Sequence, residues 1–411
     1  MFTEERKTNL KAAIRATKKK RSQQTCSIYT LKISNPSDEL KLLFYEAKWF
    51  YNHCLSQNDI FDISVRKAKE VLIKVLDSFE NRELKSLSSQ MKMGLHEKTI
   101  ANIKTLSTIK KKGSIVGRLK FSKEVNSIPL PQYDRTYKLL ENNRKVKIQG
   151  IKKPLRILGF NQLPKEAEFA NGRLIKKASG YYLQVTTFIN KEIIDKSDLP
   201  FIGIDMGIKD SIVLSNGEKF NCKLPETDKL KELQKKLKFK TVYSKNKEEL
   251  KRKIKREYEK VTNRKNDKAN KLVNYLKTNY SHIYFQDEMI SAWQKGLFGK
   301  QVQQSYLGTI KAKLKSLEST TMIKTSEPTT QLCPSCGALN KHSLKERTYE
   351  CSCGYMCDRD VHSAKNMIFI GSKNYARKEL ASTPLEEKTS ALKEVSHASL
   401  KEEECESLAH I

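Results

Sequence analysis

Asp205 sits in the run Phe201-Ile-Gly-Ile-Asp-Met-Gly-Ile-Lys-Asp210, where apolar residues surround a single carboxylate and a glycine stands two positions to either side. With Ser211-Ile-Val-Leu-Ser215 behind it, the pattern predicts two adjacent strands of a central sheet, Asp205 near the middle of the first. A buried aspartate is costly unless it is paired or binds a cation. Gly203 and Gly207 leave room for another backbone or a phosphate to come close. Ser281-His-Ile-Tyr-Phe-Gln-Asp-Glu288 is a further short strand ending in carboxylates, and Cys357-Asp-Arg-Asp-Val-His-Ser-Ala-Lys-Asn366 is an acidic cluster opening a helix. Acids on two strands and a helix start are what a two-metal phosphodiester hydrolase requires. Its carboxylates converge on two divalent ions about 3.5–4 Å apart, one activating water and one stabilising the leaving oxygen. Hard oxygen ligands select Mg2+ or Mn2+ over zinc.

The cysteines carry a different metal chemistry. Cys333-Pro-Ser-Cys336 is followed by Gly337, and Cys351-Ser-Cys353 by Gly354. Four thiolates from two turns suit a tetrahedral structural Zn2+. A redox pair is the alternative, and the second glycine-flanked pair favours zinc. The second knuckle is one residue short of the commoner Cys-x-x-Cys, which leaves Cys357 as a substitute ligand. Zinc there would pin the segment carrying Asp360, and stripping it should unfold that lobe.

Converging acids on strands and a helix start belong to an RNase H-like fold. The ordered set, Asp205 in Gly-Ile-Asp-Met-Gly-Ile-Lys, the Cys333–Cys353 cluster and Asp358-Arg-Asp-Val-His-Ser-Ala-Lys-Asn366, resembles the TnpB family. These are RNA-guided nucleases carried by bacterial insertion sequences and related to compact type V CRISPR effectors. The match in motif order covers residues about 200–368, and the N-terminal half matches more loosely. The resemblance implies that Asp205 is the first catalytic acid and Asp360 the third, both ligands of Mg2+, with Asp358 a local cap or a partner of Arg359. The family asparagine two positions after the third acid is replaced by His362. The family's second acid, a glutamate after the strand, falls on Gln286 in an ungapped comparison. Glu288 lies two residues on, and strand side chains repeat every second residue, so Glu288 is taken as the second acid and Asp287 points the other way. Some relatives use an acid nearer the zinc motif, a description that Glu327 fits.

Composition agrees with a polyanionic partner. The 411 residues hold 79 Lys and Arg against 47 Asp and Glu, a formal charge of +32. Basic residues run through Lys18-Lys-Lys-Arg21, Lys110-Lys-Lys112 and the stretch from Lys229 to Lys271. Such a chain repels itself unless nucleic acid neutralises it. No run of about 18 apolar residues suggests a membrane span, no signal peptide is visible, and the nine cysteines, an odd number, argue against a disulfide scaffold. A cytoplasmic, nucleoid-associated protein is expected, with a monomer favoured.

Several elements must position these groups, and the expected fold class is multidomain α/β. Residues 1–24 are basic and read as a flexible N-terminus that orders on RNA or DNA. Strand 27–33 and the short runs from 113 onward (137–140, 145–149, 155–158, 173–177, 180–188) would close a small β-barrel, with Tyr181, Tyr182 and Phe188 in its core. A helical block, with amphipathic segments near 64–79 and 85–110, would hang off it. By resemblance, 25–36 with 113–197 form the wedge domain, 37–112 a recognition insertion, and 198–370 an RuvC-like nuclease domain carrying a zinc ribbon at 328–357. The acidic-leaning stretch 371–411 reads as a loosely attached helix or a disordered, flexible tail. Lys120, Lys123, Arg135, Lys152 and Lys153 are candidates for phosphate contact. Residues 226–278 read as a basic helical pair whose Lys251, Lys253, Lys255 and Arg256 would line a guide–target channel.

The expected activity is that of a Mg2+-dependent (or Mn2+-dependent) endodeoxyribonuclease. It would use a noncoding guide RNA to cut matched double-stranded DNA beside a short flanking motif. The alternatives are a nuclease-dead RNA-guided repressor and a CRISPR-associated effector of the same chemistry.

Overall fold

The computed structural model describes residues 4–75, 78–140, 144–191, 198–209, 211–343 and 346–382. The chain forms two compact units, Met1–Ile193 and Ile194–Ile411.

The first unit begins with α1 (Glu4–Ser22), β1 (Gln24–Ile33) and α2 (Asp38–Ser56). It continues through β2 (Glu70–Val75), β3 (Ser78–Glu83) and α3 (Ser89–Lys111) to six strands. These are β4 (Ser127–Leu130), β5 (Tyr137–Leu140), β6 (Lys145–Ile148), β7 (Leu155–Leu158), β8 (Glu168–Lys177) and β9 (Gly180–Asn190). The flexible N-terminus is thereby corrected: Glu4–Ser22 are helical, anchored where Arg21 lies 3.7 Å over the Phe188 ring and donates to Glu168. The helical reading of 64–79 is corrected too. A short 3-10 helix, Ile63–Lys67, precedes a hairpin of β2 and β3. Its alternating β-branched residues Val71, Ile73 and Val75 suit a pleated surface better than a helix.

Seven strands form one sheet in the order β4-β8-β9-β1-β7-β6-β5. It curls until it is nearly closed, with the Tyr137 hydroxyl of edge strand β5 donating to the Ala170 carbonyl on β8 at 2.8 Å. β4 was not expected, because Pro129 lies within it; an edge strand tolerates proline. Leu183, Val185 and Thr187 of β9 point inward. Tyr181 packs against the same core, whereas Tyr182 and Phe188 lie half-buried beneath Lys177 and Arg21. The helices share that core. Leu40, Leu43, Ala47 and Phe50 of α2 and Met91 and Leu95 of α3 bury themselves with Leu31, Leu174 and Leu183 of the sheet. Buried Glu46 accepts from the backbone N–H groups of Lys85, Ser86 and Leu87 at 3.0, 2.8 and 2.7 Å, which fixes α2 to the turn before α3.

The second unit opens with a meander of β10 (Phe201–Met206), β11 (Ile212–Leu214) and β12 (Lys219–Phe220). α4 (Asp228–Lys238) and α5 (Lys245–Asn279) follow, then β13 (His282–Gln286), α6 (Ile290–Lys295), α7 (Gly299–Gln303), α8 (Leu307–Leu314) and β14 (Thr320–Ile323). A small hairpin of β15 (Thr348–Glu350) and β16 (Met356–Asp358) leads into α9 (Arg359–Ser382). The five-stranded sheet runs β12-β11-β10-β13-β14. β11 pairs antiparallel with both β12 and β10, and β13 and β14 lie parallel to β10.

Strand parity divides the two faces. Ile202, Ile204, Ile283 and Phe285 pack with Ala269, Leu272 and Leu276 of α5 and Ile310 of α8. Gly203, Asp205 and Tyr284 face α9 instead. In the basic helical pair, Leu230 of α4 packs against Leu250 and Ile254 of α5. α9 runs past the expected tail boundary at 371 to Ser382, in keeping with the helical alternative for the start of that stretch. Residues 383–411 lie outside the described residues. No described helix is long and apolar enough to cross a membrane.

Candidate active site

Asp205 stands one residue before the end of β10, on the face that α9 covers. Its carboxyl is pushed up to about 7. Burial is the main cause, the Ser363 hydroxyl pulls the other way, and the charges of Asp360 and Glu288 add to the rise while Arg359 offsets part of it. The residues that resist ionisation of Asp205 by charge are thus the other two acids of the sequence-predicted set. They come from β10, from the segment after β13 and from the first turn of α9.

Asp360 is held by its own helix start. Asp358 Oδ1 accepts from the backbone N–H groups of Asp360 at 3.0 Å and Val361 at 3.2 Å, which makes it the helix cap, and its Oδ2 meets Lys219 Nζ at 3.2 Å. Burial of Asp358 opposes ionisation, but these donors outweigh it and hold its carboxyl below the usual range. Arg359 turns its guanidinium to the Ser343 carbonyl at 2.8 Å.

Glu288 follows a tight turn in which its backbone N–H donates to the Gln286 carbonyl at 2.9 Å. The carboxyl of Glu288 is half-buried and raised, first by that burial. Asp287 points elsewhere, paired with Lys311 at 2.5 Å. Gln286, the position that the ungapped comparison brought to the site, serves another purpose. Its Nε2 donates to the carbonyls of Lys324 and Glu327 at 3.0 and 3.1 Å, and its Oε1 accepts from Thr329 at 3.1 Å. Glu327 lies in that same turn beyond β14. The charges that act most strongly on Asp205 are those of Asp360, Glu288 and Arg359, and Glu327 is not among them.

His362, at the position of the family asparagine, makes its contacts away from the carboxylates. The ring is fully buried and stacked on Tyr349 at 3.7 Å and 15°, with Nε2 3.1 Å from Asn366 Nδ2. Its pKa is depressed to about 4, chiefly by burial, then by His342 and Lys365. Asn366 in turn donates to the carbonyls of Thr329 and Leu332 at 2.8 and 2.7 Å. This face of α9 therefore grips the ribbon, while the Asp360–Ser363 face meets the sheet. Ser363, whose Oγ donates to Asp205 Oδ1 at 3.1 Å, was missed by sequence reasoning. The signal available was its helical spacing, three residues beyond Asp360.

Sulfur atoms of Cys333, Cys336, Cys351 and Cys353 all lie within 4.8 Å of one another. The pairs Cys333–Cys353 and Cys336–Cys351 stand at 3.6 and 3.5 Å. Zn–S bonds of about 2.3 Å in a tetrahedron imply sulfur separations of about 3.8 Å, so the four thiols fit a zinc ion. Gly337 and Gly354 adopt φ of +75° and +92° after the knuckles, where a side chain would be strained. Cys357 pairs with Tyr349 in the hairpin and stands outside the four-sulfur group.

Lys120, Lys123, Arg135, Lys152 and Lys153 are all exposed on the first unit, as are Lys251, Lys253, Lys255 and Arg256 on α5. Lys251 and Lys253 are ion-paired to Glu248 and Glu249 at 2.6 and 2.9 Å, so that helix face carries mixed charge.

Two family models match the chain: a probable transposase over residues 190–287 and a Cas12f1-like TNB domain over 308–367. A putative RNA-guided DNA endonuclease of Streptomyces pristinaespiralis is 27% identical over 180 residues, 41% of this chain and 45% of that protein. The putative transposase R186 of Acanthamoeba polyphaga mimivirus is 24% identical over 203 residues, 44% of this chain and 42% of that protein. The chain thus spans less than half the length of each of these relatives. A Cas12f1 chain solved by cryo-EM with sgRNA and target DNA aligns with 84% of this chain and 99% of its own, at 13% identity and a TM-score of 0.41. A match to a probable transposase model, followed by a match to a Cas12f1-like TNB domain, makes this chain similar to TnpB-like proteins over those two segments and supports that family.

Proposed function

We propose that this protein is an RNA-guided DNA endonuclease of a mobile element, with an RNase H-like nuclease layer built on β10–β14 and α9. The observation that carries this reading is buried Asp205, whose carboxyl is raised first by burial and then by the nearby charges of Asp360 and Glu288. A site that gathers buried negative charge without a cation opposes its own ionisation, and divalent cations relieve that conflict. Asp205, Glu288 and Asp360 offer the hard oxygen donors that Mg2+ or Mn2+ prefers. The bound ions would activate water and stabilise the leaving oxygen of a phosphodiester.

The chain's own residues position these donors. β10 fixes Asp205, the Asp358 cap fixes the turn carrying Asp360, and Lys311 anchors the Asp287–Glu288 segment through the Asp287 carboxylate and the Glu288 carbonyl. The four-cysteine ribbon would hold zinc structurally. Charge of +32 supports a large polyanionic partner, and the name of the Streptomyces relative supports a guide RNA and a DNA target.

The test is plasmid-library cleavage in Mg2+ by the protein purified with the RNA flanking its gene, beside Asp205→Ala. Guide-dependent cutting by wild type alone is expected, and the enriched sequences would reveal the flanking motif. Target binding without cutting would make the protein a guided repressor and sink the nuclease reading.

A further inference from the structure

The TnpB resemblance directs attention to position 362 as the polar residue beside the third acid, and in this chain that side chain is turned away. An α-helix advances about 100° per residue. His362 therefore lies about 160° around α9 from Asp360, whereas Ser363 lies only about 60° from it. The contacts follow this geometry. His362 and Asn366 face Tyr349, Thr329 and Leu332, and Ser363 faces β10.

Ser363 is 1% exposed, and its Oγ donates to Asp205 Oδ1 at 3.1 Å. A helical serine ordinarily satisfies its hydroxyl on the carbonyl one turn back or in solvent. Here it reaches across to the one carboxylate of the facing strand. Two features keep the reach fixed. Gly203 lets the α9 backbone approach β10 so closely that a Cβ at 203 would stand 1.8 Å from the Ala364 carbonyl oxygen. Asn366 and His362 hold the opposite side of the same two turns against the ribbon.

We propose that Ser363 is a positioning residue for cation binding: it occupies Asp205 Oδ1, fixes the plane of the carboxylate and leaves Oδ2 to face the divalent ion. The proposal rests on the assignment of Asp205 as a cation ligand. A partner that orients a ligating carboxylate typically affects metal affinity or activity by about 10–100-fold.

The experiment compares wild type, Ser363→Ala, Ser363→Thr and Asp205→Asn as full-length, zinc-loaded proteins. Mn2+ binding is titrated by electron paramagnetic resonance, with thermal unfolding in metal-free and Mn2+-containing buffer. Ser363→Ala is expected to fold with an unchanged midpoint in the absence of Mn2+ and to bind Mn2+ about tenfold more weakly. Ser363→Thr, which keeps the hydroxyl, should recover most of that affinity. In cleavage assays the loss in Ser363→Ala should fall on kcat and lessen at high Mn2+, with the KM for target DNA unmoved. Wild-type affinity in Ser363→Ala, alongside lost affinity in Asp205→Asn, would overturn the role of Ser363 alone. Equal Mn2+ binding by wild type and Asp205→Asn would overturn the cation-site reading and this inference with it.

Discussion

Gly203 on β10 and Ala364 on α9 meet backbone to backbone: a Cβ at 203 would stand 1.8 Å from the Ala364 carbonyl oxygen. That approach sets the depth at which α9 lies on the sheet, and therefore the distance from Asp205 to everything in the first turn of the helix. Gly203→Ala must push the helix outward. We expect a loss of about 1–3 kcal/mol, as for an overpacked core, together with loss of cleavage. Gly207→Ala, where an added Cβ meets nothing within 4 Å, should change stability by less than about 0.5 kcal/mol. Urea unfolding of the two variants checks the contrast, and equal destabilisation would refute it.

Asp205 gives a pH signature with a definite sign. Its carboxyl titrates near 7 in the folded, cation-free protein against an ordinary value of 3.8. Between those values the folded chain holds a proton that the unfolded chain has released, so stability from this group declines as pH rises and is gone above about 7. In zinc-replete buffer without magnesium, Asp205→Asn should therefore be more stable than wild type at pH 8, by about 1–3 kcal/mol, and nearly equal to it at pH 4. Adding Mg2+ or Mn2+ should stabilise wild type and leave the variant unmoved. Thermal unfolding across pH 4–8 measures both effects. A variant less stable than wild type at pH 8 without divalent cation would show that the carboxylate is compensated in some other way.

The zinc ribbon should be required for cleavage even in excess Mg2+. Tyr349 of its hairpin stacks on His362, and the carbonyls of Thr329 and Leu332 at its entry bind Asn366, so the ribbon braces the turn that carries Asp360. We expect about one zinc per chain by elemental analysis, because four thiolates form one tetrahedral site. Cys353→Ser should lose the zinc, and Cys357→Ser should keep it. Removing zinc should lower cleavage roughly tenfold or more. Zinc retained in Cys353→Ser and lost in Cys357→Ser would reverse the ligand assignment.

How much of this was legible in the sequence depended on whether a pattern had a single geometric solution. The run around Asp205 did, because apolar residues at 202, 204 and 206 leave Gly203 and Asp205 for the other face. So did the opening of α9, where Asp358 precedes a face of Ala364 and Met367. The four thiols were readable as two glycine-flanked knuckles, although the short second knuckle left Cys357 open as a substitute until the sulfur positions separated them. Ser363 was hidden: its role depends on which side of α9 meets the sheet, and both sides of that turn are polar. The hairpin at 70–83 was hidden because Val71, Ile73 and Val75 lie among lysines and glutamates that suit a helix surface equally well. α1 was read as unstructured because it carries almost no apolar face. Its order comes from contacts far along the chain, Arg21 with Phe188 and Glu168.

The second acid is the position where sequence and geometry differ most usefully, and three substitutions separate the candidates. Gln286 has its amide nitrogen against the carbonyls of Lys324 and Glu327, so Gln286→Glu would set a carboxylate against two acceptors and remove their donor. That variant should lose about 3 kcal/mol of stability, the cost of an unpaired buried charge at the low end, and should gain no activity. Glu288→Gln removes a half-buried carboxylate whose charge acts on Asp205. It should fold normally, weaken Mn2+ binding and lower cleavage by more than about 100-fold, beyond the effect of losing a mere partner of a ligand. Glu327→Gln should cut within about twofold of wild type, as expected of a residue apart from the reacting atoms. The three variants would be compared by urea unfolding, Mn2+ titration and single-turnover cleavage. Inactive Glu327→Gln beside active Glu288→Gln would move the second acid to the turn before the ribbon. Active Glu288→Gln and Glu327→Gln together would mean that Asp205 and Asp360 suffice.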